Sequence, residues 1–153
     1  MAQKDGLTGL FNKMTTEDRI EKRLRNYQEE DGILALIMLD IDNFKLLNDS
    51  QGHLAGDAII QKFAQSLRAS FAETDLVGRV GGDEFIVLTR QRDQETLRLR
   101  LEELCRNVRA TPYGADDKFH IAVSMRPASI FEKSRISSMM RNSDLADASM
   151  LFR

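Results

Sequence analysis

Two groups of carboxylates in this chain stand where side chains can do chemistry. Asp40 and Asp42 follow an apolar run, and Asp83 and Glu84 follow two adjacent glycines, Gly81 and Gly82. Groups at the end of a strand are held rigidly by the sheet, which suits catalysis. Strand side chains alternate, so Asp40 and Asp42 share one side if the strand stays extended through them. The glycine pair reaches positive φ without steric cost and leaves room for a bulky ligand, although by itself it signals only a hairpin turn. Asp83 and Glu84 are successive, so they point to opposite faces and cannot fill one role. If the hairpin pairs beside the first strand, Asp40 and Asp83 can share Mg²⁺, which prefers oxygen and commonly takes one or two carboxylates with substrate phosphates and water.

Between these groups lie Lys45, Asn48 and Asp57. Lys45 can neutralise phosphate. Asn48 offers an acceptor and a donor, and Asp57 offers acceptors; together they can read a guanine edge. Taken singly, each has a simpler reading: a solvated lysine, a turn-forming asparagine, and an acid in the first turn of a helix.

The elements that must position these residues follow from hydrophobic spacing. Ile33 to Leu39 is a continuous apolar run and reads as a strand buried on both faces. Before it, Thr15-Thr16-Glu17-Asp18 predicts a threonine-capped helix with Ile20, Leu24 and Tyr27 inward, ended by Asp31-Gly32. After it comes a short helix or turn over Phe44 to Asp49, then a turn framed by Gly52 and Gly56. A second long helix is expected over about 58–70, with Ile59, Ile60, Phe63 and Leu67 on its apolar face. Leu76 to Val80 and Phe85 to Leu88 predict the hairpin. Gln94 to Val108 predicts a helix, Phe119 to Ser124 a further strand, and about 136–151 a last helix. The order suggests an α/β (α+β) domain with a mixed sheet covered by helices.

The length of 153 residues suits one domain rather than two. Net charge is −2, from 22 basic and 24 acidic residues, which gives no general attraction to nucleic acid or to an anionic membrane. A lone cysteine, Cys105, cannot form an internal disulfide and reads as a small core residue. No signal peptide or run of about 20 apolar residues is seen, so a cytoplasmic location is expected, whether the domain stands alone or is tethered within a larger protein.

Four segments, in order, resemble one family. Asp5-Gly6-Leu7-Thr8-Gly9-Leu10-Phe11-Asn12, Asp40-Ile41-Asp42-Asn43-Phe44-Lys45-Leu46-Leu47-Asn48-Asp49, Gly52-His53-Leu54-Ala55-Gly56-Asp57 and Gly81-Gly82-Asp83-Glu84-Phe85 closely resemble the GGDEF domain of bacterial diguanylate cyclases. The resemblance implies a five-stranded sheet like the palms of nucleotidyl cyclases and polymerases. It implies condensation of two GTP into cyclic di-GMP and two pyrophosphates, by two domains facing each other as a homodimer under a fused sensor or effector. It places Mg²⁺, or alternatively Mn²⁺, on Asp40, Asp83 and the Ile41 carbonyl. Asn48 and Asp57 would bind guanine, with His53 in the same loop. Lys45 and the backbone of Asn43 and Phe44 would hold phosphates. Asp83 or Glu84 would be the base or a second metal ligand, beside the open turn at Gly81 and Gly82.

Two departures from the family stand out. The slot of the product-inhibition motif Arg-x-x-Asp reads Ala72-Glu73-Thr74-Asp75, so no primary inhibitory site is expected. The last helix reads Ala146-Asp147-Ala148-Ser149-Met150-Leu151 and lacks the family's tyrosine and its phosphate-binding lysine. Weakened GTP binding is the expected effect. The rival expectation is a catalytically weak or inactive module that binds GTP and regulates a neighbouring domain.

Overall fold

The apolar run does form the middle of a sheet. In the computed structural model, which describes residues 2–26, 32–113 and 120–131, β1 (Ile33–Ile41) is flanked by two partners. The element order is α1 (Lys13–Arg25), β1, α2 (Phe44–Gln51), α3 (His53–Ala69), β2 (Leu76–Arg79), β3 (Glu84–Gln91), α4 (Gln94–Ala110) and β4 (Val123–Phe131). The strands lie in the order β2-β3-β1-β4, and every pairing is antiparallel.

This corrects the expected sheet in two ways. Among the described residues it has four strands, not five, and it is antiparallel rather than mixed. The reason is topological. The helices that follow β1 return the chain to the hairpin β2–β3, whose second strand runs against β1, and an apolar run carries no mark of its partner's direction. The parallel contact that does occur is an isolated bridge from Phe11 to Gly78.

Alternation along β1 divides the core. Ile33, Ala35, Ile37, Leu39 and Ile41 face Ile59, Phe63 and Leu67 of α3 and Leu97, Leu104 and Val108 of α4. Leu34 and Leu36 face the other way, with Ile86 and Leu88 of β3, against Ile20 and Leu24 of α1. Each fully buried aliphatic side chain contributes about 1.5–3 kcal/mol. Burying both faces of β1 therefore anchors the strand whose end carries Asp40. Cys105 is half-buried against the larger cluster, and burial pushes its thiol up.

Several boundaries differ from expectation. Asn12, not Thr15, caps α1: its side chain accepts the Thr15 N–H at 2.9 Å, and the helix begins at Lys13. The Thr16 hydroxyl instead donates to the Asn12 carbonyl at 2.6 Å, inside the first turn. Helix α3 starts at His53, so Gly56 lies within a helix rather than framing a turn, and Asp57 is past the first turn. Strand β4 runs on to Phe131 through Pro127, with a register shift opposite Leu36/Ile37. An edge strand tolerates proline at such an irregularity because one side of its ladder is unused. Tyr27, Asp31, Phe119 and the expected helix over 136–151 lie outside the described residues.

Candidate functional site

The register of β1 against β3 sets the carboxylates. Asp40 lies directly opposite Glu84, and the Ile41 N–H donates to the Asp83 carbonyl at 3.3 Å. That bond marks Asp40 and Glu84 as a non-hydrogen-bonded pair, whose Cα atoms approach to about 4.5 Å and whose side chains share one face. Like charges at such positions repel and destabilise a sheet. Neither side chain makes an ion pair or hydrogen bond with another described residue, and the same holds for Asp83. Asp40 and Asp83 are half-buried and Glu84 is exposed. Negative charge thus accumulates at one end of the sheet, with no cation paired to it among the described residues.

Asp42 does not join this group. The strand ends at Ile41, and the Asp42 carboxylate accepts a hydrogen bond from the Ser124 hydroxyl on β4. Its N–H donates to the Ala122 carbonyl at 2.9 Å. Ser124 lies directly opposite Asp40 and the Asp42 N–H continues the β1–β4 register, so Asp42 stays on the Asp40 side as expected but spends its carboxylate on Ser124.

Sequence reasoning missed Arg79, which holds the glycine turn. Its guanidinium donates to the carbonyls of Gly81 (3.1 Å) and Gly82 (2.8 and 3.1 Å), and to both carboxylate oxygens of Asp5 (3.2 and 3.3 Å). Asp5 is also held by the N–H and hydroxyl of Thr8, at 2.9 and 2.7 Å. Burial opposes ionisation of Asp5, but the Thr8 hydrogen bonds and Arg79 together hold its carboxyl below the usual range. The signal was present: an arginine immediately before the turn, and an Asp-x-x-Thr early in the chain. Within the turn, a Cβ at Gly81 would lie 3.2 Å from the Glu84 side chain, so the glycine lets that carboxylate fold close.

Only Asp42 and Asn43 separate β1 from α2. Asn43 adopts the left-handed region (φ 57°, ψ 26°) and makes no side-chain cap bond. The first N–H groups of α2 therefore lack a cap, a setting that favours an anion. Exposed Lys45 sits in that turn and makes no ion pair among the described residues. Asn48 turns toward α3: its side-chain Nδ2 lies 3.0 Å from His53 Nδ1, within hydrogen-bond reach. The Asn48 carbonyl packs over Gly56, where a Cβ would lie 2.2 Å from it. His53 and Asp57, four apart on α3, share an exposed face.

The donor set suits a hard cation. Asp40, Glu84 and the Ile41 carbonyl offer only oxygen; Asp83 lies opposite Ile41, so it is Glu84 rather than Asp83 that shares the face of Asp40. Among the described residues no group of three or more His, Cys, Asp or Glu is placed to hold a metal ion, so bound phosphate and water would supply the remaining ligands. A cleft of about 660 Å³ opens elsewhere, between α1, α3 and the start of β2. Asp75, beside that cleft, is spent within the fold. It is 5% exposed and accepts from the Thr89 hydroxyl (2.8 Å), the Arg90 N–H (3.1 Å) and the Ala72 N–H (3.2 Å). No helix among the described residues is long and apolar enough to cross a membrane.

The domain therefore combines an antiparallel α+β sheet with paired carboxylates beside a Gly-Gly hairpin and a helix start that has no side-chain cap. Comparison with known proteins makes this specific: the family model described as "Diguanylate cyclase, GGDEF domain" matches residues 2–149, and the chain belongs to that family. It is 39% identical over 112 residues to the diguanylate cyclase DgcP of Pseudomonas aeruginosa, an alignment that covers 73% of this chain but only 17% of DgcP. Among solved structures it is similar to the GGDEF domain of TpbB (YfiN) from P. aeruginosa, with a TM-score of 0.75, 28% identity and coverage of 97% and 86% of the two chains. It is likewise similar to the GGDEF domain of DgcB from Caulobacter crescentus in complex with c-di-GMP, with a TM-score of 0.74, 25% identity and coverage of 98% and 91%.

Proposed function

We propose that this domain condenses two GTP molecules into cyclic di-GMP, each of two facing copies holding one GTP. The observation that carries the reading is the Asp40–Glu84 pair, two carboxylates opposite each other at the sheet end and without an ion-pair partner among the described residues. Such a pair persists when its repulsion is relieved by a bound cation.

In each half-reaction the 3′-hydroxyl oxygen of one GTP attacks the α-phosphorus of the other. The new P–O bond forms as the bond to pyrophosphate breaks, and the hydroxyl proton leaves to a base. Asp83 and Glu84 are the carboxylates at hand to take that proton, or to hold the cation instead. Asp40 and the Ile41 carbonyl, at the end of β1, would hold the cation. A bound Mg²⁺ or Mn²⁺ would acidify the hydroxyl and offset charge on the phosphate oxygens. Lys45 and the free N–H groups at the start of α2 bind the triphosphate. Asn48 and Asp57 read the guanine edge, with His53 fixing the Asn48 amide. Gly81 and Gly82 keep the turn clear of side chains. Two copies are needed because each site holds one of the two reactants, and holding them together removes the entropic cost of encounter.

Family membership and the names of its relatives support this reading. Because DgcP is far longer, a fused sensor or effector segment is part of the proposal. The test is incubation with GTP and Mg²⁺ followed by chromatography of the nucleotides. The expected result is cyclic di-GMP that disappears in Asp83→Ala. GTP binding without turnover supports the module that regulates a neighbour, and absence of nucleotide binding overturns both.

A further inference from the structure

The glycine turn is closed at its base by the Val80 N–H donating to the Glu84 carbonyl at 2.9 Å, but its tip is not: Gly82 has open space around it, and the Gly81 N–H reaches the same carbonyl only at 3.3 Å. Its carbonyls are instead gathered by one guanidinium. Arg79 spends Nε and one terminal nitrogen on Gly81 and Gly82, and the other terminal nitrogen on Asp5. Both partners of the ion pair are largely shielded, with 17% and 21% of their side chains exposed, unlike the solvated pairs on α1 and α4.

Asp5 is equally fixed. The loop from Lys4 to Phe11 closes on itself through Asp5 N–H to the Leu10 carbonyl (2.6 Å) and Gly9 N–H to the Asp5 carbonyl (2.9 Å). It is then stitched to β2 by the Arg79 N–H donating to the Phe11 carbonyl at 3.0 Å. Arg79 is held by its backbone at one end of this circuit and by its side chain at the other.

We propose that Asp5 and Arg79 form a clamp that sets the Gly81–Gly82 turn and so aims Asp83 and Glu84, which makes both of them positioning residues. The proposal rests on the hairpin being the reactive element, as argued above. It depends on the forked geometry of arginine, because a lysine ammonium is a point charge and cannot bridge two carbonyls and a carboxylate in one plane.

The experiment uses Arg79→Lys, Asp5→Asn and the double variant, with three readouts: thermal unfolding, NMR order parameters of the Gly81 and Gly82 amides, and kcat and KM for GTP. In the unsubstituted protein the two amides should behave as rigid backbone, with an order parameter of about 0.85, falling below about 0.6 in Arg79→Lys. In the same variant kcat should fall by about 10- to 100-fold, with KM held within about threefold, because misplacement of about 1 Å costs rates of that order. Asp5→Asn should act in the same direction, and the double variant should be no worse than Arg79→Lys, because both act through one contact. Rigid amides with a reduced kcat would overturn the clamp and place Arg79 on the substrate instead. Unchanged amides and unchanged kcat would overturn it outright. If the unsubstituted protein makes no cyclic di-GMP, the functional reading fails, and the order parameters alone decide the clamp.

Discussion

Gly56→Ala separates recognition from stability. Gly56 is buried in α3, and a Cβ there would meet Asn48 Oδ1 at 2.2 Å, Asn48 Cγ at 3.2 Å and Phe44 Cζ at 3.3 Å. A carbon and an oxygen rest without repulsion at roughly 3.2–3.5 Å, so the amide must retreat by about 1 Å. That movement breaks the 3.0 Å contact to His53 and shifts the group proposed to read guanine. On stability two terms oppose each other. Alanine gains about 1 kcal/mol of helix propensity over glycine, and the lost hydrogen bond costs about 1 kcal/mol. Folding should change by less than about 1 kcal/mol. On binding, an unmade hydrogen bond to a buried polar edge costs about 1–3 kcal/mol, or roughly 5- to 150-fold in affinity. Calorimetry with GTP, beside a urea melt, measures both quantities. Asn48→Ala should lose a similar amount, and combining it with Gly56→Ala should add little. A folded Gly56→Ala variant that binds GTP within twofold of the original refutes the role given to Asn48.

Four further outcomes are expected. Gly78→Ala places a Cβ 1.9 Å from Thr16 Oγ1 and 2.7 Å from its Cγ2. It should destabilise by about 2–4 kcal/mol through overpacking and a broken threonine hydrogen bond, read as a lower urea midpoint. Asp75→Ala strands the buried Thr89 hydroxyl and the N–H groups of Ala72 and Arg90, and should cost about 2–4 kcal/mol in the same assay. Asn12→Ala should cost about 1 kcal/mol, because it removes the cap of α1. Asp5 has a lowered carboxyl, so its contribution is fully present above its ordinary value of 3.8 and is lost as pH falls through the lower folded value. The stability gap between the original protein and Asp5→Asn should therefore be constant from neutral pH down to about 4 and close below it, as followed by unfolding at stepped pH.

What could be read beforehand was whatever periodicity and chemistry encode locally. The run Ile33 to Leu39 announced a strand buried on both sides, and Leu97, Leu104 and Val108 do face the core from α4. The hairpin needed only its glycines. Other features depend on partners far along the chain. Asn12 and Thr15 are equally good capping types, and only the geometry shows which one accepts the bond. Gly52 and Gly56 look alike in sequence, yet Gly52 sits at φ 89° before α3, while Gly56 is helical and makes room for Asn48. The expected strand stops at Ser124, whereas β4 runs on to Phe131 through Pro127, at an edge with a register shift. The antiparallel sense of the sheet had no local sign at all. Within the site, Asp40, Lys45, Asn48, Asp57, Asp83 and Glu84 were picked out by type and spacing. Arg79 was passed over because its partner, Asp5, lies at the other end of the connectivity.

The strand order bears on when the site comes into being. The β2–β3 hairpin is local and can close on its own within microseconds. The meeting of Asp40 with Glu84 is not local: β1 pairs with β3 only after two helices and β2 have been accommodated between them. Long-range antiparallel pairing of this kind is slow, because loop-closure entropy is lost before any contact compensates for it. On the ribosome, an emerging chain that ends before β3 carries one half of the carboxylate pair and none of the charge crowding. Avidity for a divalent ion would then arise late and all at once, as a sign that the sheet has been assembled.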